Sequence, residues 1–170
     1  MLSKDKAAEL FSRIKRHSAA DEIECLFYGG RSALTRFANN TIHQNVAEEN
    51  YGVSVRTVFG GRTARATTNK FDDESLKNVV KASEDLAKVQ EADSDLLPVP
   101  EPDRNVRPTR DVPSRHFAET AALTPEQRAE GVEKIVAIAQ KHKLTTAGIF
   151  SSSESVEGIF NSRGLSQWHI

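Results

Sequence analysis

Histidine and cysteine are among the side chains with which this 170-residue sequence could bind a metal or transfer protons. The five histidines are followed by serine, glutamine, phenylalanine, lysine and isoleucine, so none begins the His-Glu-x-x-His helix of a zinc peptidase. The single cysteine, Cys25, has no cysteine or histidine neighbour at ligand spacing. We therefore predict no catalytic residue, no metal site and no cofactor-binding site in this chain, and we interpret Cys25 as a small apolar strand residue.

Other catalytic motifs are also missing from the sequence. It contains no Gly-x-x-x-x-Gly-Lys phosphate loop, no Gly-x-Gly-x-x-Gly dinucleotide loop and no Gly-x-Ser-x-Gly nucleophile elbow. Adjacent carboxylates include the pairs Glu48–Glu49 and Asp72–Asp73. Adjacent strand residues point in different directions, and Asp72 is placed to cap a helix, so neither pair is typical of an acid–base dyad.

The remaining candidates are residues that contact a ligand or a partner. His43 stands beside a short run of amide side chains that includes Asn39, and such a polar group could contact a peptide. A histidine on a strand after a tight turn is also commonly a plain surface residue. Trp168 lies in the last apolar segment. We predict peptide or interface contacts for His43, Asn39 and Trp168.

Several charged residues are interpreted as structural or solvated. Arg62 and Arg65 are three residues apart on a predicted edge strand, so their side chains face opposite sides of the sheet and do not form an anion clamp. His17 and His142 lie near predicted helix C-termini, where the helix dipole favours an imidazolium. His116 lies in a proline-rich segment, and we expect it to be solvated or to have an incidental role.

Charge and hydropathy limit the partners that the chain can have. The sequence has 23 Lys and Arg against 24 Asp and Glu, interspersed, so no field of one sign attracts nucleic acid or an anionic membrane. No apolar run reaches the roughly 18 residues of a membrane span, and the N-terminus lacks the apolar core of a signal peptide. We expect a cytoplasmic globular protein without nucleic-acid or membrane partners.

Three segments have the apolar spacing of helices. The first runs from Ser3, a predicted N-cap, to about His17; the second follows the predicted N-cap Asp72. The third follows Thr124–Gln127, which combines a capping box with a first-turn proline. Their predicted buried faces are Ala7, Leu10, Phe11 and Ile14 in the first, Leu76, Val79, Val80 and Leu86 in the second, and Val132, Ile135, Val136 and Ala139 in the third.

Short alternating segments between the first two helices predict strands. They cover about residues 22–28, 33–38, 41–47, 51–59 and 62–68. The dipeptides Gly29–Gly30, Asn39–Asn40 and Gly60–Gly61 tolerate positive φ and are predicted to form the turns between them. The predicted fold class is α+β, an antiparallel β-meander covered by helices and followed by a second, incomplete helix-plus-strands unit.

The predicted domain organisation has three consecutive parts. Residues 1–92 form an α+β domain, and residues 93–123, which hold five prolines among charged residues, form an extended connector. Residues 124–170 begin a second α+β unit that weakly repeats the first. Because its last strand, Leu165–Ile170, ends without a turn or a pairing partner, we expect a truncated product.

Three segments, Arg36–Gln44, Gly52–Arg56 and Gly61–Ala66, together resemble the N-terminal part of the TldD/PmbA family, proteins labelled modulators of DNA gyrase and related to peptidases. The resemblance extends over about residues 21–88, with a weaker match in residues 124–170. It implies cytoplasmic homo- or heterodimers, some of which are zinc metallopeptidases that trim peptides or unfolded polypeptides.

The zinc of such family members is bound by a His-Glu-x-x-x-His-type helix and a distant cysteine. Those ligands belong to a portion further along than this chain reaches, so the resemblance assigns no zinc-binding or catalytic role to any residue here, Cys25 included. Zinc is expected only if a full-length parent carries that later site. The chain alone is expected to be inactive.

Two functions are compatible with these observations. The first is the N-terminal scaffold and dimerisation part of a TldD/PmbA-like protein, which pairs with a TldD/PmbA-like subunit and offers a strand edge to an extended peptide. The alternative is a stand-alone protein-interaction module or regulator, as the gyrase-modulator label suggests. The reading frame after Ile170 discriminates between them, since a zinc-binding helix encoded there favours the first.

Overall fold

Five strands and four helices form the part of the fold that this computed structural model describes, residues 1–102 and 115–170. In chain order they are α1 (Lys4–His17), β1 (Glu22–Ala38), β2 (Thr41–Phe59), β3 (Arg62–Thr68), α2 (Asp73–Lys88), α3 (Ala118–Ala121), α4 (Pro125–Lys141), β4 (Gly148–Asn161) and β5 (Ser166–His169). The strands make one antiparallel sheet in the order β3-β2-β1-β4-β5, which confirms the α+β class and the meander. No helix in the described ranges is long and apolar enough to cross a membrane.

The described residues group into two compact units, and β1, β2 and β4 contribute residues to both. Unit 1 contains residues 1–29, 50–102 and 156–170, and unit 2 contains residues 30–49 and 115–155. The three consecutive parts predicted from the sequence, at 1–92, 93–123 and 124–170, stay a prediction. Residues 103–114 of the predicted connector lie outside the described residues.

Two tight turns connect the first three strands at predicted positions. The φ angles are 50° and 58° in Asn39–Asn40, and 50° and 79° in Gly60–Gly61. Two successive positive φ angles are the geometry of a type I′ hairpin, which Asn and Gly tolerate. Between these turns β2 is continuous, so the predicted break between residues 47 and 51 is wrong.

The predicted turn at Gly29–Gly30 is wrong, because β1 continues through it. Gly29 has a φ of 136°, and a Cβ there would lie 2.2 Å from the carbonyl oxygen of Asn50. A Cβ on Gly30 would lie 2.0 Å from the carbonyl oxygen of Glu154. The two glycines therefore permit a close approach of neighbouring backbones and do not reverse the chain.

The apolar stripes of α1 and α2 pack on one face of the sheet in unit 1. Ser3 caps α1 by accepting a hydrogen bond from the Lys6 N–H at 3.2 Å, as predicted. Asp72 caps α2 by accepting one from the Ser75 N–H at 2.9 Å, also as predicted. The buried core consists of Leu2, Ala7, Leu10, Ile14, Ile23, Cys25, Phe27, Val53, Val55, Leu76, Val79, Val80, Val156 and Phe160.

Two residues predicted on buried helix faces are exposed, Leu86 of α2 by 47% and Ile135 of α4 by 45%. On α2 the small residue Ser83 takes the buried position instead. Its hydroxyl shares a hydrogen bond of 2.9 Å with Thr57 Oγ1 and donates one of 3.0 Å to the Ala64 carbonyl oxygen. The helix α2 therefore lies close to the strands at Ser83, and the larger side chain of Leu86 lies at the edge of the apolar face of the helix.

The helix α4 of unit 2 begins with the predicted capping box. The Gln127 N–H donates to Thr124 Oγ1 at 3.3 Å, and the Thr124 N–H donates to Gln127 Oε1 at 2.9 Å. Val132, about two turns into the helix, is buried. A Cβ on Gly131 would lie 2.8 Å from the ring of Phe150, so the glycine provides the space that this ring occupies.

The described parts of the predicted connector are not uniformly extended. Residues 118–121 form the short helix α3 within the segment that was predicted to be extended. Val99 is buried, and its N–H donates to Glu22 Oε2 at 2.9 Å. The carbonyl oxygen of Pro100 accepts a hydrogen bond from Asn161 Nδ2 at 2.7 Å. Residues 99–100 are therefore attached to unit 1.

The expectation of an unpaired last strand is also wrong. β5 runs antiparallel to β4, with Trp168 opposite Gly158 and Gln167 opposite Ile159. β3 and β5 stand at the two ends of the strand order, so within the described part each has a single neighbouring strand.

We expect Gly29→Ala to lower the free energy of unfolding by about 1–3 kcal/mol, because an L-residue is strained at this φ and its Cβ meets the Asn50 carbonyl. Urea denaturation followed by circular dichroism measures the change. Gly60→Asn is the matched control. Gly60 has a φ of 50° and no atom within 4 Å of an added Cβ, and asparagine tolerates this conformation. An equal loss of stability in both variants would contradict the role assigned to Gly29.

Candidate functional site

Asn39 and His43, two of the predicted contact residues, lie on the β1–β2 hairpin of unit 2. Both side chains are exposed, and neither has a hydrogen-bond or ion-pair partner among the described residues. Asn40 is the structural member of the turn. Its Oδ1 accepts a hydrogen bond from the Thr146 N–H at 2.8 Å, and its Nδ2 donates to the Leu144 carbonyl at 3.0 Å. A peptide or partner contact of Asn39 or His43 stays a prediction.

Trp168, the third predicted contact residue, is half-buried in unit 1. A Cβ on Gly158 would lie 2.2 Å from Cε3 of the indole, so the glycine accommodates the ring. The centroids of the Trp168 and Phe160 rings are 6.4 Å apart. Trp168 therefore covers the core of its own unit, and an interface contact stays a prediction.

A buried carboxylate, Glu24, organises the face of the unit 1 sheet opposite the helices. Glu24 is 5% exposed, and its Oε1 lies 2.6 Å from Arg65 Nη2 and 3.8 Å from Arg56 Nη1. Arg65 Nη1 also donates to Ser54 Oγ at 3.3 Å. The strand register pairs Arg56 with Arg65 and brings both guanidinium groups to Glu24. Arg65 lies on the edge strand β3 and its side chain is 43% exposed, as interpreted from the sequence, and the contact with Glu24 is an addition to that interpretation.

Unit 2 contains a cleft of about 350 Å³, which we call the unit 2 cleft. Residues of β1, β2 and β4 line it together with the residues around the start of α4. Its charged lining residues are Arg31, Glu48, Glu49, Arg128 and Glu154. This cleft has the size of a small-molecule site, and several charged side chains line it.

Arg128 is the most buried charged residue among those described, at 2% exposure. Its Nε donates to Thr35 Oγ1 at 3.3 Å and its Nη1 to the Leu123 carbonyl at 2.9 Å. Thr35 in turn donates to Asn45 Oδ1 at 2.5 Å. Sequence reasoning missed Arg128. The available signal was its position one helical turn before Val132 on the buried face of α4.

Most other charges at the unit 2 cleft are paired. His116 Nε2 forms a hydrogen bond with Glu154 Oε1; the side chain of His116 is half-buried and that of Glu154 is largely buried. The interpretation of His116 as a solvated residue is therefore wrong. Arg31 Nε lies 3.8 Å from Glu49 Oε2. Glu48 has no hydrogen-bond or ion-pair partner in the described part of the chain.

The described residues do not fit the zinc site that the family resemblance implies. Cys25 is fully buried; its burial, and to a lesser extent the neighbouring Glu24, raise the pKa of the thiol far above its usual range. The thiolate that a metal would require is therefore disfavoured. In residues 1–102 and 115–170 no group of three or more His, Cys, Asp or Glu is arranged to hold a metal ion.

Comparison with known families gives a match over part of the chain. Residues 23–87 match the family described as PmbA/TldA metallopeptidase domain 1. This range begins in β1 and ends in α2. No curated protein sequence matches the chain.

Three solved structures resemble this fold over nearly all of the chain. TldE from Thermococcus kodakarensis has a TM-score of 0.78 at 20% identity, covering 96% of this chain and 36% of its own. A proposed modulator of DNA gyrase from Bacteroides thetaiotaomicron has a TM-score of 0.76 at 16% identity, and the match covers 99% of this chain and 39% of that protein. A second proposed modulator of DNA gyrase, from Thermotoga maritima, has a TM-score of 0.72 at 15% identity, and the match covers 95% of this chain and 36% of that protein. The chain thus spans well under half of these proteins, and at such identity the likeness establishes the fold.

We expect Glu24→Gln to lower the free energy of unfolding by about 1–3 kcal/mol, because it leaves two arginines beside a buried neutral amide. Chemical denaturation measures the loss. Asp85→Asn is the control, since it removes one partner of the exposed Lys81–Asp85 pair, which solvent screens, and it should change nothing measurable. A Glu24→Gln variant as stable as the parent would show that the buried carboxylate does not stabilise the sheet.

Proposed function

We propose that this chain, whose residues 23–87 match domain 1 of the PmbA/TldA metallopeptidase family, is the N-terminal scaffold and dimerisation part of a TldD/PmbA-like protein. The observation that carries the proposal is the extent of that match, which covers strands and a helix of the scaffold. The full-length protein is then a zinc metallopeptidase that acts on peptides or unfolded polypeptides, or the partner subunit of one.

The chemistry of the described residues supports a non-catalytic role for this chain. Catalytic zinc needs three protein ligands and an open position for water. The described residues offer no such set, and Cys25 is held as a neutral thiol. We infer that any zinc of the full-length protein is bound by residues other than those described, 1–102 and 115–170.

The sheet edges support pairing with a partner. β3 and β5 each have one neighbouring strand, so the outer backbone groups of each can accept an extended segment. The proposed partners are a TldD/PmbA-like subunit, as a homo- or hetero-oligomer, and a peptide. The net charge of −1 supports a protein partner over nucleic acid or a membrane, and a cytoplasmic location belongs to the same proposal.

The alternative is a stand-alone interaction module or regulator. Its support is the gyrase-modulator name of two structural neighbours, which are 16% and 15% identical to this chain. The reading frame after Ile170 separates the two functions. Codons for a His-Glu-x-x-x-His helix and a later cysteine support the scaffold of a peptidase, whereas an immediate stop supports the module.

We expect the purified 170-residue chain to hold substoichiometric zinc and to cleave no unfolded polypeptide, because its described residues form no ligand triplet. Mass spectrometry of the metal content after growth in zinc, and a casein digestion assay, measure the two properties. Cys25→Ser is the control and should leave the zinc content unchanged. One equivalent of zinc, or peptidase activity that a chelator removes, would refute the non-catalytic assignment.

We expect the chain to self-associate, giving a mass above the 18.8 kDa monomer in light scattering, because β3 and β5 each have a single neighbouring strand among the described residues. A lysine on an edge strand opposes such pairing. Gln167→Lys places one on β5 and Thr67→Lys places one on β3, so each variant is the control for the other. The variant that restores the monomer identifies the strand, β5 or β3, through which the chain associates. A parent chain that stays monomeric at all concentrations would contradict dimerisation through this chain.

A further inference from the structure

The guanidinium of Arg128 is a buried charge that neither the core nor the proposed scaffold role uses. Its two hydrogen-bond acceptors, Thr35 Oγ1 and the Leu123 carbonyl, are neutral oxygens. Its Nη2 has no hydrogen-bond partner among the described residues and is not fully enclosed, and no carboxylate oxygen of those residues lies within 4.0 Å of the guanidinium. A buried cation is stable only when its charge is compensated, so this arrangement lacks an anion.

The carboxylates of the unit 2 cleft do not supply that anion. Glu154 is bonded to His116, and Glu49 lies next to Arg31. Glu48 is exposed and lies beyond ion-pair distance of Arg128. The negative charge that would complete the site must therefore come from a ligand.

The start of α4 adds to the attraction for an anion. Pro125, the first residue of this 17-residue helix, lines the unit 2 cleft with Arg128. The N-terminus of a helix carries a partial positive charge, which stabilises a carboxylate or phosphate nearby. The guanidinium of Arg128 and the N-terminus of α4 therefore both contribute positive potential to the unit 2 cleft.

The size and charge of the cleft select among anions. Its volume is about 350 Å³, and small side chains such as Ala33 and Ala47 form part of its wall. Two arginines and three glutamates line it, which gives 2 − 3 = −1 in formal charge. A dianionic phosphate would meet net repulsion, whereas a monocarboxylate that also carries an amine matches both Arg128 and the unpaired Glu48.

We propose that the unit 2 cleft binds the free carboxylate of an amino acid or short peptide through Arg128, and that Glu48 holds the ammonium group of the same ligand. The carboxylate accepts hydrogen bonds from Nη2, the one guanidinium nitrogen without a protein acceptor. This binding requires neither zinc nor oligomerisation, so its test is separate from those of the proposed scaffold role.

Calorimetric titration of the 170-residue chain tests the proposal with alanine, trialanine, trialanine amide, N-acetyl-trialanine and inorganic phosphate. We expect trialanine to bind and its amide to bind about 10- to 100-fold more weakly, because the charge-assisted hydrogen bond to Arg128 is lost. The N-acetyl peptide should be weakened less, since Glu48 is exposed. If alanine binds as tightly as trialanine, the site is assigned to free amino acids. If trialanine binds more tightly, the site is assigned to peptides.

Two variants connect the binding to the named residues. Arg128→Met should abolish binding of trialanine while the chain stays folded by circular dichroism, since an apolar side chain of similar length replaces an uncompensated charge. Lys134→Met is the control, because it removes an exposed charge from the same helix outside the cleft lining. If Arg128→Met unfolds the chain, Arg128→Lys keeps a charge and should bind more weakly than the parent with the same preference for a free carboxylate.

Three results would overturn the proposal. They are equal binding of trialanine and its amide, tighter binding of phosphate than of trialanine, and no binding of any of these ligands by the folded parent. In the last case Arg128 would be a structural residue that only links Thr35 to Leu123.

Discussion

The alternation of side chains along β1 is the constraint on which both faces of unit 1 depend. Cys25 and Phe27 belong to the core under α1 and α2, so the strand period places Glu24 on the opposite face, where it is nearly fully buried. A buried carboxylate without a partner would destabilise the sheet. The register that sets Arg56 opposite Arg65 supplies two guanidinium groups, and a slip of one residue would disrupt both the core and this ion pair.

Local signals predicted the helix starts and the hairpin turns because the interactions that form them are local. The side chains of Ser3, Asp72 and Thr124 each bond an N–H three residues later, so the sequence contains both partners. The pair Gly29–Gly30 was predicted wrongly because two glycines serve equally for a chain reversal and for a close approach of backbones. Only the position of the Asn50 carbonyl on the neighbouring strand decides between these uses.

The unit 2 cleft could not be predicted because its contacts join distant parts of the sequence. Arg128 and Thr35 are 93 residues apart, and His116 and Glu154 are 38 apart. In the sequence His116 stands among prolines and charged residues, where a side chain is usually solvated. Helix periodicity predicted that Val132 is buried, but it gave no reason to expect the buried charge of Arg128 one turn earlier. Patterns of period two and 3.6 specify faces, and they do not specify which faces meet.

The two units compensate a buried charge in different ways. Glu24 lies beside two guanidinium groups, so the folded chain itself neutralises the carboxylate. Arg128 meets only neutral oxygens, which satisfy two of its nitrogens and leave its charge uncompensated. An apolar residue of similar volume would stabilise a scaffold better than such a cation does. A cation held in place before the ligand arrives, however, binds a carboxylate without the entropy loss of ordering a flexible side chain. Folding therefore explains Glu24, and ligand recognition explains Arg128.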